Sequence, residues 1–493
     1  MNRARRTAVL AAVCLLAGFV LLATFNSGGY RYGASDQAFY QPSVLARLDP
    51  ALFPRDGSLI AAQATLTLAD ESVAAVARVT GLPLPDLFLA LYLLTLLLFA
   101  AGAWSIATRI YVNSWTCVAL LAALTLRHAI ARSGTNTLEG YFHPRQLAFA
   151  FGVLAVASFL RDRRISTALL VVAAAAFHPT TALWFAVWLG VATFVVHRST
   201  RLVLGGLAAV TLVTPLWALT VGPLAGRLQP MDPDWLATLT TKDYLFPMAW
   251  PAFAWIFNLG TVALLAGAFV IRRRAGLVAD RERALAAGCF SLAVIFFTAL
   301  VLQYFNVALA IQLQPARTFW MFDFLGTVYI VWLLAEAGAA RQRRAVVLCL
   351  VVLAFSVTRG SYVLTELNRR PFRVDLADDD WGRVMRWART TDKGSGWLAD
   401  PMHAVLYGTS LRVAGERDVF VEGVKDAAIG IYDRAVAIRT AARMRELSNF
   451  QRLTADDARS LASRYNLDFL VTPAVVDLPV AFVSGELRVY RLR

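Results

Sequence analysis

Apolar residues occur in long runs along the first three-quarters of the chain, separated by short polar stretches. Runs of about twenty residues cross roughly 30 Å of hydrocarbon as helices that satisfy their own backbone hydrogen bonds. We therefore predict about eleven transmembrane helices before residue 360. They cover residues 7–26, 86–108, 113–130, 144–160, 165–177, 180–196, 202–220, 248–271, 285–305, 318–339 and 345–360.

The pattern changes after residue 360, where apolar runs shorten and charges become frequent. Helices are predicted for "DDDWGRVMRWARTT" and across residues 430–465, and strands for "GWLAD" and "RDVFVEGVK". The stretch "ADDARSLASRYNLDFLVTP" predicts a helix followed by a strand, and "GELRVYRLR" a terminal edge strand. The chain thus divides into a polytopic α-helical membrane domain, residues 1–360, and a small α/β domain, residues 361–493.

Three connections between the predicted spans are longer or more polar than the others, and all three fall on one side of the membrane. The first, residues 27–85, contains "DGSLIAAQATLTLADESVAAVARVTG", which predicts one or two amphipathic helices at the interface. The others are "RSGTNTLEGYFHPR" and residues 221–247. The connections on the opposite side are short and basic, so we expect the functional surface on the side of the long ones.

Composition supports a membrane protein and gives its orientation. The chain is 58% hydrophobic and 16% charged, with a net charge of +15. Its arginines cluster in alternate connections, the positive-inside pattern that places the N-terminus in the cytoplasm. An odd number of spans in the cytoplasmic (inner) membrane then leaves the α/β domain outside. The basic balance reflects topology and does not predict nucleic-acid binding. All four cysteines fall in predicted spans, so no disulfide framework is expected.

Asp36 is the first candidate for chemistry, about ten residues beyond the first span in "GGYRYGASDQAFYQP". A carboxylate at a water–membrane boundary can act as a general base or a metal ligand. Alternatively, Asp36 caps the helix predicted for "QAFYQPSVLARL". Asp56 is a candidate second catalytic carboxylate, although a turn with Gly57 also accounts for it. The sequence leaves both alternatives open.

Two His-Pro pairs, in "EGYFHPRQLAFAF" and "AAFHPTTALWF", fall on the same side as Asp36. Proline suits the first turn of each following helix, but this does not account for His143 and His178. Each imidazole is either a ligand for a phosphate or sugar hydroxyl or an ordinary interfacial histidine.

Arg145 and Arg317 lie on the outer side, against the charge bias of the chain. A guanidinium fork suits a pair of phosphate oxygens, although snorkelling to lipid headgroups is the alternative. Gln314 precedes Arg317, and Glu139 is either a partner for Arg145 or a polar loop residue. These groups come from separate connections but face one leaflet. We therefore predict one pocket that holds a lipid-linked phosphate, with a carboxylate near the sugar.

These features resemble the GT-C superfamily of integral membrane glycosyltransferases, in a bacterial branch acting in the cell envelope. The likeness consists of Asp36 in "YGASDQAFY", the following interfacial helices, the span number, the outward His and Arg residues, and the tail element "LASRYNLDFLVT". It implies inverting sugar transfer from a polyprenyl-phosphate donor to a lipid, glycan or protein acceptor. Asp36 would be the catalytic base or metal-linked carboxylate, and Arg145 and Arg317 would hold the donor phosphate. Gln37 stands where many members carry a second acid, which leaves a divalent metal open.

Two other functions remain as alternatives. A transporter or flippase would place charged groups near the midplane, often in two related halves. A non-catalytic envelope scaffold would leave the polar residues dispersed. The membrane lipids are expected partners in every case, and the sequence leaves the sugar, the acceptor and the oligomeric state open.

Overall fold

The computed structural model describes residues 3–196 and 225–493, together with residues 217, 220 and 221, and these residues are mostly helical. The predicted span 202–220 lies almost entirely outside them. Helices in the first part are α1 (Arg3–Asn26), α2 (Gln37–Leu48), α3 (Gly57–Ala64), α4 (Ala69–Thr80), α5 (Leu84–Ile110), α6 (Ser114–Leu124), α7 (Pro144–Leu160), α8 (Arg164–Phe177) and α9 (Pro179–Val196). They are followed by α10 (Pro233–Leu239), α11 (Ala252–Arg274), α12 (Asp280–Tyr304), α13 (Ala308–Gln312), α14 (Thr318–Glu336) and α15 (Arg341–Glu366).

Seven helical segments among the described residues are long and apolar enough to cross a membrane. They are α1, α5, α9, α11, α12, α15 and the segment Ala308–Glu336, which joins α13 to α14. The protein is therefore a polytopic helical membrane protein, as the hydrophobic pattern predicts. The apolar helices α6, α7 and α8 are shorter. Helix α6 ends at Leu124, before the predicted residue 130, and the polar sequence that follows forms the antiparallel pair β2 (Ala129–Ile130) and β3 (Thr135–Asn136).

Small residues allow the apolar helices to pack closely. A Cβ atom at Gly152 of α7 would lie 2.2 Å from the ring of Phe185 in α9, and one at Gly288 of α12 would lie 2.2 Å from the carbonyl oxygen of Trp188. Close backbone approach of this kind is how helices gain packing contacts where lipid removes the hydrophobic driving force.

The first connection, residues 27–85, folds as helices against the membrane part. Its helices α3 and α4 form a pair bent by 98°, which matches the helices predicted there. Strand β1 (Tyr30–Arg31) leaves α1 and pairs in parallel with β4 (Phe372–Arg373), just after α15. The start of the tail, residues 361–493, is therefore joined to the first connection by backbone hydrogen bonds.

The tail contains helices α16 (Asp380–Ala388), α17 (His403–Leu406), α18 (Leu411–Ala414), α19 (Gly423–Ile429), α20 (Arg434–Glu446) and α21 (Ala455–Tyr465). Its strands are β5 (Gly396–Leu398), β6 (Asp418–Val419), β7 (Phe469–Thr472), β8 (Val480–Ser484) and β9 (Leu487–Arg491). Their order is β6-β5-β7-β9-β8, with β5 parallel to β6 and β7, and β9 antiparallel to β7 and β8.

Two strand predictions need correction. Strand β9 is not an edge strand, because β8 pairs with its second side through a hairpin at Gly485, where φ is +56°. The stretch "RDVFVEGVK" forms only the two-residue strand β6, since helix α19 begins at Gly423.

A buried ionic network holds the tail on the first connection. The Arg412 guanidinium, which is 1% exposed, donates from Nε to Asp56 Oδ2 at 2.7 Å and from Nη1 to Asp426 Oδ1 at 2.6 Å. Arg439 also donates to Asp56. The Arg412 cation lies between two buried carboxylates, so the network is specific in geometry and intolerant of the loss of that cation.

We predict that Arg412→Met lowers the free energy of unfolding by about 3–5 kcal/mol, because Asp56 and Asp426 lose the buried cation between them. Chemical unfolding of the detergent-purified protein measures this change. The control Arg445→Gln removes an exposed arginine of the same tail and should stay within about 0.5 kcal/mol of wild type. Equal effects of the two substitutions would show that the network does not stabilise the protein.

Candidate functional site

A cavity of about 170 Å³ lies where the first connection, the starts of α7 and α9, the segment before α14 and the tail meet. It contains six of the eight residues predicted from the sequence, brought together from distant positions. They are Asp36, His143, Arg145, His178, Gln314 and Arg317. Apolar and aromatic side chains complete the wall, among them Phe39, Leu66 and Phe177.

Asp36 occupies the N-cap position just before α2, but its side chain makes no capping hydrogen bond. Its Oδ1 instead accepts a hydrogen bond of 2.6 Å from Lys425 Nζ, and its Oδ2 lies 3.4 Å from His143 Nε2. Burial opposes the charge of this carboxylate, but Lys425, His143 and Arg145 hold its pKa well below the usual range. Asp36 is thus an ionised group in the cavity, and the capping interpretation is wrong for its side chain.

The Nδ1 atom of each histidine accepts a hydrogen bond from the backbone of the helix that begins at the next residue. The backbone N–H of Arg145 donates to His143 Nδ1 at 3.1 Å, and that of Thr181 donates to His178 Nδ1 at 3.2 Å. Each imidazole therefore caps the helix that follows its proline, which leaves Nε2 as the nitrogen that carries the proton. The sequence left each histidine as either a ligand or an ordinary interfacial residue, and this capping adds a structural role for Nδ1.

Both imidazoles are neutral near pH 7. Burial and the Arg145 charge lower the pKa of His143 to about 4. Burial, Arg317 and Arg145 hold the pKa of His178 well below its usual value. Each histidine is consequently a neutral donor, and the Nε2–H of His143 faces the Asp36 carboxylate.

The two arginines differ in how their charge is compensated. Arg145 is 4% exposed, and its Nη2 lies 3.3 Å from Glu139 Oε1. Burial raises the pKa of Glu139, which weakens this compensation. Arg317 is 9% exposed and has no ion pair or side-chain hydrogen bond within the described part of the chain.

A buried unpaired guanidinium is costly, because it has given up water without gaining a carboxylate. Gln314 does not supply that partner, since among the described residues its amide oxygen is buried without a hydrogen bond and its amide nitrogen donates to the Tyr432 hydroxyl at 2.8 Å. The cavity therefore has the chemistry of a site for an anion.

Sequence reasoning missed the groups that the tail and the third connection contribute. Lys425 contacts Asp36, and Lys242 donates to the carbonyl oxygen of Val424 at 2.8 Å. Burial and the neighbouring Lys425 lower the pKa of Lys242 to about 8. One signal was present in the sequence: the chain has only three lysines, at 242, 393 and 425, among 48 basic residues. Two of the three lie at this site.

Two predicted site residues lie outside the cavity. Asp56 is buried in the Arg412 network, where both carboxylate oxygens are engaged. Glu139 stands behind Arg145 as its ion-pair partner and lines a neighbouring cleft. The structure thus places Asp36 in the cavity without a second carboxylate beside it.

The cavity residues do not fit a divalent metal. Hard cations take several oxygen ligands, usually with more than one carboxylate. Asp36 is the one carboxylate of the cavity wall, and the Lys425 ammonium already lies against it. Throughout the described residues, no group of three or more His, Cys, Asp or Glu side chains could hold a metal ion.

The combination of groups is therefore one ionised carboxylate, two neutral imidazole donors and two buried arginines around an apolar-walled cavity. No protein-family model matches the chain, and the search of curated proteins found no match to it.

Proposed function

We propose that this protein is a membrane glycosyltransferase of the GT-C type, which moves a sugar from a polyprenyl-phosphate donor to a lipid, glycan or protein acceptor. The observation that carries the proposal is the buried, unpaired guanidinium of Arg317 in the same cavity as the ionised Asp36. A donor phosphate supplies the missing anion. An acceptor hydroxyl supplies a proton for the carboxylate.

The walls of the cavity suit the two parts of such a donor. Arg145 and Arg317 offer planar forks to phosphate oxygens. Phe39, Leu66 and Phe177 offer apolar surface to the first isoprene units. The hydroxyl groups of Tyr244 and Tyr432 lie in the same wall and can bond sugar hydroxyls.

In the proposed reaction the acceptor oxygen attacks the anomeric carbon of the donor sugar. Its proton passes to Asp36, and the bond between the anomeric carbon and the phosphate oxygen breaks. The electron pair of that bond leaves with the phosphate, whose charge Arg145 and Arg317 stabilise. Attack opposite the leaving group inverts the anomeric centre. His143 Nε2–H orients Asp36, and His178 Nε2–H is available to the phosphate or the sugar.

The same proposal includes about eleven spans and a tail on the outer face of the inner membrane. Contact between the tail and the first connection supports a common side for both, since Lys425 reaches Asp36. The starts of α7 and α9 join the same cavity, which supports placing both His-Pro pairs on that side as well.

We predict that Arg317→Met lowers kcat about 100- to 1000-fold, because the leaving phosphate loses a preorganised cation. The protein should be as stable as wild type or more so, since an unpaired buried charge is removed. Transfer from a polyprenyl-phosphate sugar and thermal unfolding measure the two effects. The control Arg491→Gln, at an exposed strand position, should change neither. Loss of stability together with activity would instead assign Arg317 a structural role.

We predict that Asp36→Asn lowers the transfer rate by about 100-fold or more, because the acceptor hydroxyl loses its base. Donor binding, measured with a labelled polyprenyl-phosphate sugar, should persist because Arg145 and Arg317 remain. Full activity of Asp36→Asn would exclude Asp36 from the reaction. If the wild-type protein itself binds the donor but transfers no sugar, the flippase function is favoured instead.

We predict that Lys425→Met shifts the acid limb of the pH profile of kcat/KM toward neutral pH. Lys425 makes the largest favourable contribution to the low pKa of Asp36, and burial acts in the opposite direction. Without the lysine the carboxylate is protonated at higher pH and the base is lost there. Lys425→Arg keeps the charge and should retain the wild-type limb. An unchanged limb in Lys425→Met would contradict the role of Asp36 as the titrating base.

A further inference from the structure

A second concentration of positive charge lies outside the cavity, where α1 and α15 end. We call it the arginine basin. It lines two adjoining clefts of about 160 Å³ and 720 Å³, which share Arg31 and Arg369. Its members are Arg31, Arg127, Arg359, Arg369, Arg370 and Arg373.

The backbone forces two of these arginines together. In the parallel pair of β1 and β4, Arg31 stands directly in register with Arg373. The pair is held by Tyr30 N–H donating to the Pro371 oxygen at 2.7 Å and Tyr32 N–H donating to the Arg373 oxygen at 3.1 Å. Like charges directly opposite each other in a sheet are destabilising. Something other than strand stability must account for this arrangement.

The basin lacks internal compensation. Within the described part of the chain, none of its six arginines forms an ion pair with a carboxylate. Arg359 Nη1 donates to the Asn26 side chain at 2.8 Å, whereas the side chains of Arg31, Arg369 and Arg373 have no hydrogen-bond acceptor there. The Nε atoms of Arg31 and Arg373 are buried without a partner. Within the described residues, the basin therefore has guanidinium N–H donors without acceptors and positive charge without carboxylate partners.

Four acids line the two clefts, and three of them are engaged with other groups. Glu139 lines the smaller cleft but accepts from Arg145. Asp378 pairs with Arg386, and Asp379 caps α16 by accepting from the Gly382 N–H. Asp375 is exposed. These carboxylates leave the charge of the basin largely uncompensated.

The basin lies at the ends of two candidate membrane spans, where lipid headgroups are expected. Asn26 is the last residue of the candidate span α1, and Arg359 lies in the final turns of the candidate span α15. Val363 and Leu367 add apolar surface to the smaller cleft. Gly28 keeps the cleft open, since a Cβ atom there would lie 3.2 Å from Arg369 Nη1, and its φ of +80° favours glycine.

We propose that the arginine basin is a second anion site, which binds the phosphate of an anionic phospholipid headgroup independently of the candidate cavity. Guanidinium groups recognise phosphate oxygens through paired, charge-assisted hydrogen bonds. A zwitterionic headgroup adds a cation that this basin would repel. The bound phosphate offsets the repulsion between Arg31 and Arg373, and so secures the β1–β4 pair that joins the tail to the first connection.

The test measures lipid retention by the full-length protein. The purified protein is titrated in detergent with phosphatidylglycerol or with phosphatidylcholine, and bound lipid is counted by native mass spectrometry. Wild type should retain phosphatidylglycerol in preference to phosphatidylcholine. Arg31→Gln combined with Arg373→Gln should weaken retention about tenfold or more, since two charge-assisted contacts are removed. The control pair Arg445→Gln and Arg491→Gln removes the same charge from exposed tail positions and should retain the lipid.

Competition with a soluble phosphate ester distinguishes a lipid ligand from a free phosphate ester. Glycerol 1-phosphate carries the same phosphate without the acyl chains, and it should compete only weakly. Tight binding of glycerol 1-phosphate without binding of phosphatidylglycerol would overturn the lipid assignment. Equal retention of the two lipids by wild type, or equal loss in the control pair, would overturn the site itself.

Two further variants keep the test independent of folding and of the proposed reaction. Arg369→Gln alone leaves the β1–β4 pair untouched and should also weaken retention of phosphatidylglycerol; wild-type retention by this variant would contradict the site. Asp36→Asn should keep full lipid retention, because Asp36 does not line the basin. If Asp36→Asn lost phosphatidylglycerol, the basin and the cavity would not be independent sites, and the proposal would be overturned.

Discussion

The buried guanidinium of Arg412 is the interaction on which the arrangement of the site depends. It bridges Asp56 of the first connection and Asp426 of α19. Lys425 is the neighbour of Asp426 in the same helix, and it reaches Asp36. The ion pair of Arg412 with Asp426 fixes the position of α19, and this places the Lys425 ammonium against the Asp36 carboxylate. A buried ion pair is a poor source of net stability but a strong constraint on geometry, and geometry is what this site requires.

The clusters around Arg412 and Arg317 differ in whether carboxylates of the chain compensate the buried arginine. The Arg412 guanidinium has carboxylate partners in Asp56 and Asp426, so its charge is compensated within the chain. Around Arg317 the compensation is missing within the described residues, although burial is nearly as deep. Proteins tolerate such a cost where a ligand repays it on binding. Asp56 was a reasonable catalytic candidate from its sequence context, but its completed ion pairs are typical of a structural residue.

Local sequence patterns predicted the helices and much of the site, because both depend on short-range features. Helix α7 has the predicted bounds of residues 144–160, and both His-Pro pairs come to the cavity. Lys425 could not be found this way, since 389 positions separate it from Asp36 and no local pattern encodes that contact. The missed strand β8 follows from the same limit: without it, β9 has one neighbour and looks like an edge.

The predicted topology assigns the arginine clusters of the short connections to the cytoplasmic side, and Arg31, Arg145 and Arg317 lie outside those clusters. Arg31 lies in the same connection as Asp36, so it shares a side with the cavity, and Arg373 pairs with it across β1 and β4. Glu139 lines the basin and Arg145 lines the cavity, and their ion pair forms part of the wall between the two. Since burial disfavours the charge of Glu139, this single acid cannot neutralise arginines on both sides. We propose that anions from outside the chain compensate the remaining positive charge on both sides of this wall.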